Sequence, residues 1–144
     1  MVNPSNPIPQ GKYVPATRFQ NLIFTAGMTP RKDGVLMASG KIKVSDRVED
    51  YREVVIQAAK NALTAARNKL LPHERIGQIL SITVYVNAEK EYTNQSKIAD
   101  IASEYFCSEL GDCGIGSRAA VGVSSLPGNA PVEISIIVGV DAEV

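Results

Sequence analysis

The sequence VEISIIVGV, residues 132–140, has the alternating pattern of a β-strand, with an apolar side chain at every second position from Val132. The intervening positions include another isoleucine, Ile137, so both faces of the strand carry apolar side chains. They also include Glu133, a carboxylate that must lie on a solvated face or find a partner. The pattern therefore predicts a strand that is covered on both faces of its sheet.

A long helical pattern lies in the first half of the chain. We predict that it begins at a capping box formed by Asp46 and Glu49 and ends before Pro72. Apolar residues recur at helical spacing over residues 51–66, whereas the opposite face carries charged and amide side chains such as Asn61. The apolar stripe is narrow and rich in alanine, so this helix is expected to lie close against a sheet.

A second helical pattern begins at Thr93 or Asn94, either of which can cap it, and ends at Gly111. Apolar residues at helical spacing form its predicted core face: Ile98, Ile101, Ala102, Tyr105, Phe106 and Leu110.

Four further strands are predicted at residues 14–17, 22–26, 78–86 and 119–125. Residues 18–26 have the pattern of a hairpin, and Asp33-Gly34 indicates a tight turn between two short strands. The last two strands, 119–125 and 132–140, pair as an antiparallel hairpin if the Pro-Gly-Asn turn at residues 127–129 connects them directly.

The order of these elements predicts an α+β domain with both helices packed on one face of the sheet. No third layer in the sequence covers the other face, so we expect another subunit to cover it. The 144 residues predict a single domain, residues 1–144, that begins with an extended arm containing three prolines at residues 1–10.

Composition and charge narrow the functional classes. Lys plus Arg and Asp plus Glu number 15 each, so the formal net charge is zero, and no basic stripe indicates a nucleic-acid partner. The two cysteines have no disulfide or Cys-x-x-Cys pattern and are expected to be reduced thiols. The N-terminus has no signal-peptide pattern, and no apolar stretch approaches the ~20 residues that span a bilayer. These features predict a cytoplasmic protein without a membrane partner.

The motifs of metal and cofactor sites are missing from the sequence. His73 is the only histidine, and with two separated cysteines it completes neither a usual zinc site nor an assignable Ser-His-acid triad. No phosphate-binding loop or dinucleotide fingerprint occurs. We therefore expect no metal and no cofactor.

Arg118 and Glu133 remain as candidates for chemistry. If their strands pair as a hairpin, the two side chains come close enough for an ion pair or a shared cleft. The alternative is that both residues only solubilise a sheet edge, because exposed ion pairs contribute little to stability.

Several motifs resemble those of one known family. The sequence SRAAVGVSSLP, residues 117–127, followed by VEI, residues 132–134, resembles the C-terminal signature of the RidA/YjgF family, which is also labelled endoribonuclease L-PSP or translation inhibitor. Less specific family motifs are matched by GKYV at 11–14, LIFTAGMTP at 22–30 and ITVYV at 82–86. The resemblance covers nearly the whole chain in the right order and is closer to a divergent branch than to the imine deaminases of the family.

The resemblance implies a chorismate-mutase-like fold, in which three subunits form an inner barrel of sheets with the helices outside. It also implies ligand clefts between subunits of this homotrimer. Deaminases of the family hydrolyse reactive enamine or imine intermediates to 2-keto acids and ammonia without a metal or an organic cofactor. The implied partner is therefore a small molecule that bears a carboxylate.

Four residues match functional positions of the family. Arg118 matches the arginine that binds the substrate carboxylate through a bidentate, charge-assisted pair. Glu133 matches the acid that positions or activates the attacking water. Tyr13 matches a tyrosine that lines the cleft, and Gly27 matches a glycine whose backbone approaches the ligand.

Three positions depart from the deaminase pattern. Ala26 stands where the deaminases have a serine, and Ala120 stands where they have a cysteine. Ser96 falls near the position of an asparagine, in a region where the alignment is loose. These departures remove polar groups from the implied pocket and favour a larger or more apolar ligand.

Three functions follow from these features. The first is hydrolysis of enamine or imine intermediates, which the presence of Arg118 and Glu133 favours. The second is a non-catalytic, ligand-binding or regulatory trimer, which keeps the arginine but lacks turnover. The third is an endoribonuclease or translation inhibitor, which the zero net charge disfavours because RNA binding depends on cationic contacts with phosphates.

Overall fold

The computed structural model of the chain describes residues 4–143. Within this range the chain forms seven strands and two α-helices in the order β1 Ala16–Phe19, β2 Leu22–Thr25, β3 Arg31–Lys32, β4 Val35–Leu36, α1 Arg52–Arg67, β5 Glu74–Asn87, α2 Gln95–Leu110, β6 Ser117–Val123 and β7 Val132–Ala142. Residues 4–10 of the predicted arm form neither helix nor strand, and its first three residues lie outside the described range.

Five strands form one mixed sheet in the order β1-β2-β7-β5-β6, and β3 and β4 form a separate two-stranded ribbon. β7 is antiparallel to both β2 and β5, whereas β6 is parallel to β5. The predicted hairpin of the last two strands is therefore wrong, because β5 lies between β6 and β7. The physical reason is that α2 connects β5 to β6 as a crossover helix, which places two successive strands side by side in parallel.

The composition of the last two strands agrees with their places in the sheet. β7 is apolar on both faces and occupies the centre, where every second residue from Val132 to Val140 is buried. β6 contains Arg118 and Gly122 and has no fully buried residue, which suits an edge.

Both helices pack on one face of the sheet, as predicted, and the domain is α+β. Side chains of α1 and α2 form one core with the helix-facing residues of the sheet, among which the largest fully buried ones are Ile23, Ile79, Ile82, Ile134 and Ile136. The predicted core face of α2 is confirmed at Ile98, Ile101, Ala102 and Phe106, whereas Tyr105 and Leu110 are only partly buried.

The predicted turns are present at the expected places. β1 begins two residues later than predicted and forms the outer strand of a hairpin with β2, in which Gln20 has a φ of 54°. Asp33 and Gly34 connect β3 to β4 with φ values of 54° and 81°, the left-handed conformation that an Asp-Gly pair favours.

The start of the first helix differs from the prediction. One turn of 3-10 helix precedes α1, and the backbone N–H of Arg47 donates to the Asp50 carboxylate at 3.2 Å. Asp46 instead accepts a hydrogen bond from the Tyr51 hydroxyl. The predicted capping box of Asp46 and Glu49 is therefore wrong, because a second acidic residue, Asp50, lies in better register with the first turn.

Asn61 was predicted on the exposed face of α1 but is buried. Its amide nitrogen donates to the backbone carbonyls of Thr29 at 3.1 Å and Arg31 at 2.8 Å, and its amide oxygen accepts from Gln57 at 2.8 Å. A helix pattern alone does not show that the segment around β3 covers this position. Asn61 thus joins the β3–β4 ribbon to α1.

We expect Asn61→Ala to lower the free energy of unfolding by about 2 kcal/mol, because it leaves the Arg31 carbonyl and the Gln57 amide without this partner and removes one of the two hydrogen bonds to the Thr29 carbonyl in a covered site. Urea denaturation monitored by circular dichroism measures the change. Lys60→Ala, at the exposed neighbouring position of the same helix, is the matched control and is expected to change little. Equal effects of the two substitutions would contradict the role of Asn61.

Candidate functional site

Arg118 and Glu133 lie on opposite faces of the sheet. Arg118 is opposite Ile82 on β5, and Ile82 is opposite Ile136 on β7, so all three side chains point toward the helices. Glu133 is opposite Tyr85 on β5 and belongs to the alternate, open face. An ion pair of Arg118 and Glu133 within one chain is therefore excluded by the register.

The guanidinium of Arg118 is bound by one face of α2. Its Nη1 donates to the carboxylate of Asp100 at 2.8 Å and to the hydroxyl of Ser103 at 3.0 Å. Its Nη2 donates to the hydroxyl of Ser96 at 2.8 Å and to the backbone carbonyl of Ser96 at 3.3 Å. The α2 residues fall at positions i, i+4 and i+7, which lie on one side of a helix. This arrangement fixes both the position and the plane of the guanidinium.

Ser96 is thus placed beside Arg118, but Asp100 and Ser103 were missed by the sequence analysis. The only local signal is the spacing of the three polar residues on the second helix. A stripe of this kind is ordinarily solvated, and only the position of β6 beneath α2 shows that it faces an arginine.

Glu133 is half-buried near the start of β7. Burial raises the pKa of its carboxyl group above the usual range, since desolvation disfavours the charged form. Within residues 4–143, no group donates a hydrogen bond that would offset this effect. A carboxylate of raised pKa that is not engaged by its own chain has the properties of a general base.

Gly27 lies directly against Glu133. A Cβ atom at this position would be 2.7 Å from the carboxyl carbon of Glu133, closer than nonbonded atoms approach. The contact is maintained by the next residue, since Met28 and Ile134 exchange backbone hydrogen bonds of 2.7 and 2.8 Å. The space beside Gly27 is therefore occupied by the carboxylate of Glu133, and the approach of the Gly27 backbone to a ligand stays a prediction.

Tyr13 and Gly27 both line a cleft of about 320 Å³ between the N-terminal arm, the β3–β4 ribbon and α1. The hydroxyl of Tyr13 accepts a hydrogen bond from the backbone N–H of Gln10 at 3.0 Å, and its ring remains exposed. Arg31, Lys32 and Lys60 on the cleft wall give it a basic character that Asp33 partly offsets.

Ala26 and Ala120 contribute apolar surface instead of polar groups. Both are half-buried and pack against the core. Ala120 lies two residues after Arg118 on the same face of β6, opposite Val84, and Ala26 is held by a hydrogen bond from its N–H to the carbonyl of Pro15 at 2.9 Å.

The predicted site residues therefore form two groups within one chain. Arg118, Ser96 and Ala120 lie together on the helix-covered face at the β6 edge. Glu133 and Gly27 lie together at the start of β7, and Tyr13 shares the cleft of Gly27. In the part of the chain that the structure describes, no cluster of His, Cys, Asp and Glu side chains could hold a metal ion. None of the described helices is long and apolar enough to span a bilayer.

Comparison with known proteins identifies the family. The family model for endoribonuclease L-PSP matches residues 4–140 of the chain. The chain belongs to this family. It is the family also known as RidA/YjgF, as the motifs around Arg118 and Glu133 predicted.

Relatives of known sequence or structure agree with this assignment. A RutC family protein of Aquifex aeolicus is 30% identical over 93% of this chain and 93% of its own length. The protein Atu1372 of Agrobacterium tumefaciens, of unknown function, is 31% identical over 95% of this chain and 86% of that chain, with a TM-score of 0.82. The Escherichia coli YjgF product is similar in fold, with a TM-score of 0.69 at 23% identity over 93% of this chain and 92% of that chain.

We expect Glu133→Gln to raise the free energy of unfolding at pH 7. Because the folded state raises the pKa of Glu133, its ionisation opposes folding as the pH rises through the folded-state value. The stabilisation should be present at neutral pH and disappear at pH 3, where the carboxyl group is protonated in both states. Urea denaturation of both proteins across this pH range measures it, and destabilisation at pH 7 would contradict the desolvation of Glu133.

Proposed function

We propose that this protein hydrolyses reactive enamine or imine intermediates to 2-keto acids and ammonia. The observation that best supports this function is the state of Glu133, a desolvated carboxylate of raised pKa, at the position of the family's acid. Arg118, oriented by α2, stands at the position of the family's carboxylate-binding arginine.

The proposed reaction needs only these groups and water. Arg118 binds the carboxylate of a 2-imino acid, and Glu133 accepts a proton from a water molecule as its oxygen attacks the imine carbon. Glu133 passes this proton to the nitrogen, which gives a carbinolamine. The proton of the new hydroxyl group then moves to the nitrogen by way of Glu133 as the carbonyl forms, the carbon–nitrogen bond breaks, and ammonia leaves with formation of the 2-keto acid. An enamine substrate first takes up a proton at carbon to become the imine.

We also propose that the site is completed between subunits of a homotrimer. Within one chain, Arg118 and Glu133 point to opposite faces of the sheet, so a ligand meets both only if they come from different copies. Large apolar side chains are exposed on the open face, where contact with another subunit would remove them from water: Phe19, Leu22, Phe24, Leu80 and Val121. This arrangement supports the chorismate-mutase-like trimer that the family resemblance implies.

A non-catalytic binding trimer is the second candidate. It is favoured by Ala26 and Ala120, which supply no hydroxyl or thiol where the deaminases have one. RNA cleavage, which the family name suggests, is disfavoured by the formal net charge of zero. The cytoplasmic location remains a prediction, and it agrees with the free thiols of Cys107 and Cys113.

Ammonia release from 2-aminoacrylate, generated in place by a dehydratase, tests the proposed activity. We expect the protein to accelerate release, and Arg118→Ala and Glu133→Gln each to lower the acceleration at least ~100-fold, the scale of a lost general base. Glu133→Gln should retain binding of the product 2-keto acid, whereas Arg118→Ala should not. Binding of a 2-keto acid without any acceleration would identify the non-catalytic alternative.

Sedimentation velocity tests the assembly. We expect a species of three times the 15.4 kDa mass of one chain, and Phe24→Asp should shift it toward the monomer because it places a charge on the covered open face. Val35→Asp, which places the same charge on a more exposed apolar residue of the β3–β4 ribbon, should leave the assembly intact. A wild-type monomer would exclude a shared site.

A further inference from the structure

We propose that Asp100 occupies the ligand's place on Arg118, so that a carboxylate ligand binds by displacing the carboxylate of Asp100 from the guanidinium. The inference rests on the proposed function of Arg118 as the carboxylate-binding residue. In this proposal Asp100 competes with the ligand for Arg118, which lowers the ligand's affinity and favours ligands that carry a negative charge.

The hydrogen-bond inventory of Arg118 is the first argument. A guanidinium has five N–H donors, four of them on the two Nη nitrogens. Each Nη already takes part in two contacts, with Asp100 and Ser103 at Nη1 and with the hydroxyl and carbonyl of Ser96 at Nη2. No adjacent pair of free donors is left for a bidentate carboxylate. A bidentate carboxylate must therefore displace one partner from each Nη nitrogen.

The exposure of the partners shows which of them can leave. The side chain of Arg118 is 21% exposed, whereas that of Asp100 is 59% exposed. Asp100 can rotate into water and regain its hydration at little cost, as is usual for exposed ion pairs. The exposed hydroxyl of Ser96 can turn aside together with Asp100, which frees one donor on each Nη nitrogen. Ser103 is half-buried, and the Ser96 carbonyl belongs to the helix backbone, so these two partners can keep the guanidinium in place.

The exchange has a consequence for ligand selection. When a carboxylate replaces Asp100, the Arg118 charge is neutralised before and after binding, and the ligand recovers the interaction that Asp100 gives up. A neutral ligand offers no such replacement, so displacing Asp100 leaves the cation with a weaker partner. The resident carboxylate thus selects anionic ligands while keeping their affinity modest.

Isothermal titration with 2-oxobutanoate, a stable 2-keto acid, tests the competition. We expect Asp100→Asn to bind this probe about three- to tenfold more tightly than the wild type, the range that removal of an exposed ion pair and its repulsion of the ligand allows. Asp100→Ala should show the same direction, which guards against a new hydrogen bond from the asparagine. The neutral 2-oxobutanamide should bind weakly to the wild type and to both variants.

Glu104→Gln is the matched control for these variants. Glu104 lies one turn further along α2, is 65% exposed and pairs with Arg52 at 3.4 Å, so its substitution makes the same charge change away from Arg118. It should leave the affinity for 2-oxobutanoate unchanged. An equal gain in this control would assign the effect to net charge and overturn the competition.

The remaining outcomes separate this inference from the proposed function. Weaker or unchanged binding by both Asp100 variants, together with loss of binding in Arg118→Ala, would keep Arg118 as the ligand's partner and overturn Asp100 as its competitor. Binding that persists in Arg118→Ala would instead overturn the proposed role of Arg118, and the competition with it. Thermal unfolding of every variant verifies that each protein compared is folded.

Discussion

The antiparallel pairing of β7 with β5 at the centre of the sheet decides on which face each candidate site residue lies. Side chains alternate along a strand, so burying Ile134 and Ile136 beneath the helices directs Glu133 to the open face. β5 pairs in turn with β6, where Arg118 lies opposite Ile82, so the side chain of Arg118 also faces the helices. A shift of one residue would exchange the faces and bury a carboxylate in the apolar core, and the cost of that burial enforces the register.

At Glu133 the packing of the core holds a carboxyl group where its charged form is unfavourable. The apolar residues on either side of it are fully buried and hold its backbone in the sheet. The pairing of Met28 with Ile134 brings Gly27 against the carboxylate, where a Cβ atom would require the Glu133 side chain to shift. The same burial that stabilises β7 therefore desolvates Glu133 and raises its pKa. Groups held in an unfavourable state by a stable scaffold are typical of reactive sites.

The orientation of the Arg118 side chain is fixed by hydrogen bonds to α2. Arg118 lies on an edge strand, where a flexible cation would ordinarily be solvated, but the crossover helix α2 passes above it. Ser96, Asp100 and Ser103 then bind the guanidinium on one side and determine its orientation. An arginine held in this way loses little conformational entropy when it binds a ligand, which favours recognition. The parallel β5–α2–β6 unit is thus a structural requirement of the proposed site as well as of the fold.

Local patterns in the sequence determined the helices, the long strands, the tight turn at Asp33-Gly34 and the family, because helix spacing, strand alternation and motifs are properties of neighbouring residues. Local motifs also predicted Arg118 and Glu133 as site residues. The tertiary structure alone decided that β5 lies between β6 and β7, that Asn61 is buried beneath the β3–β4 ribbon, and that Asp100 neutralises Arg118. Each of these depends on which distant segments pack together, and the free energy of that packing is shared among residues that no local periodicity relates.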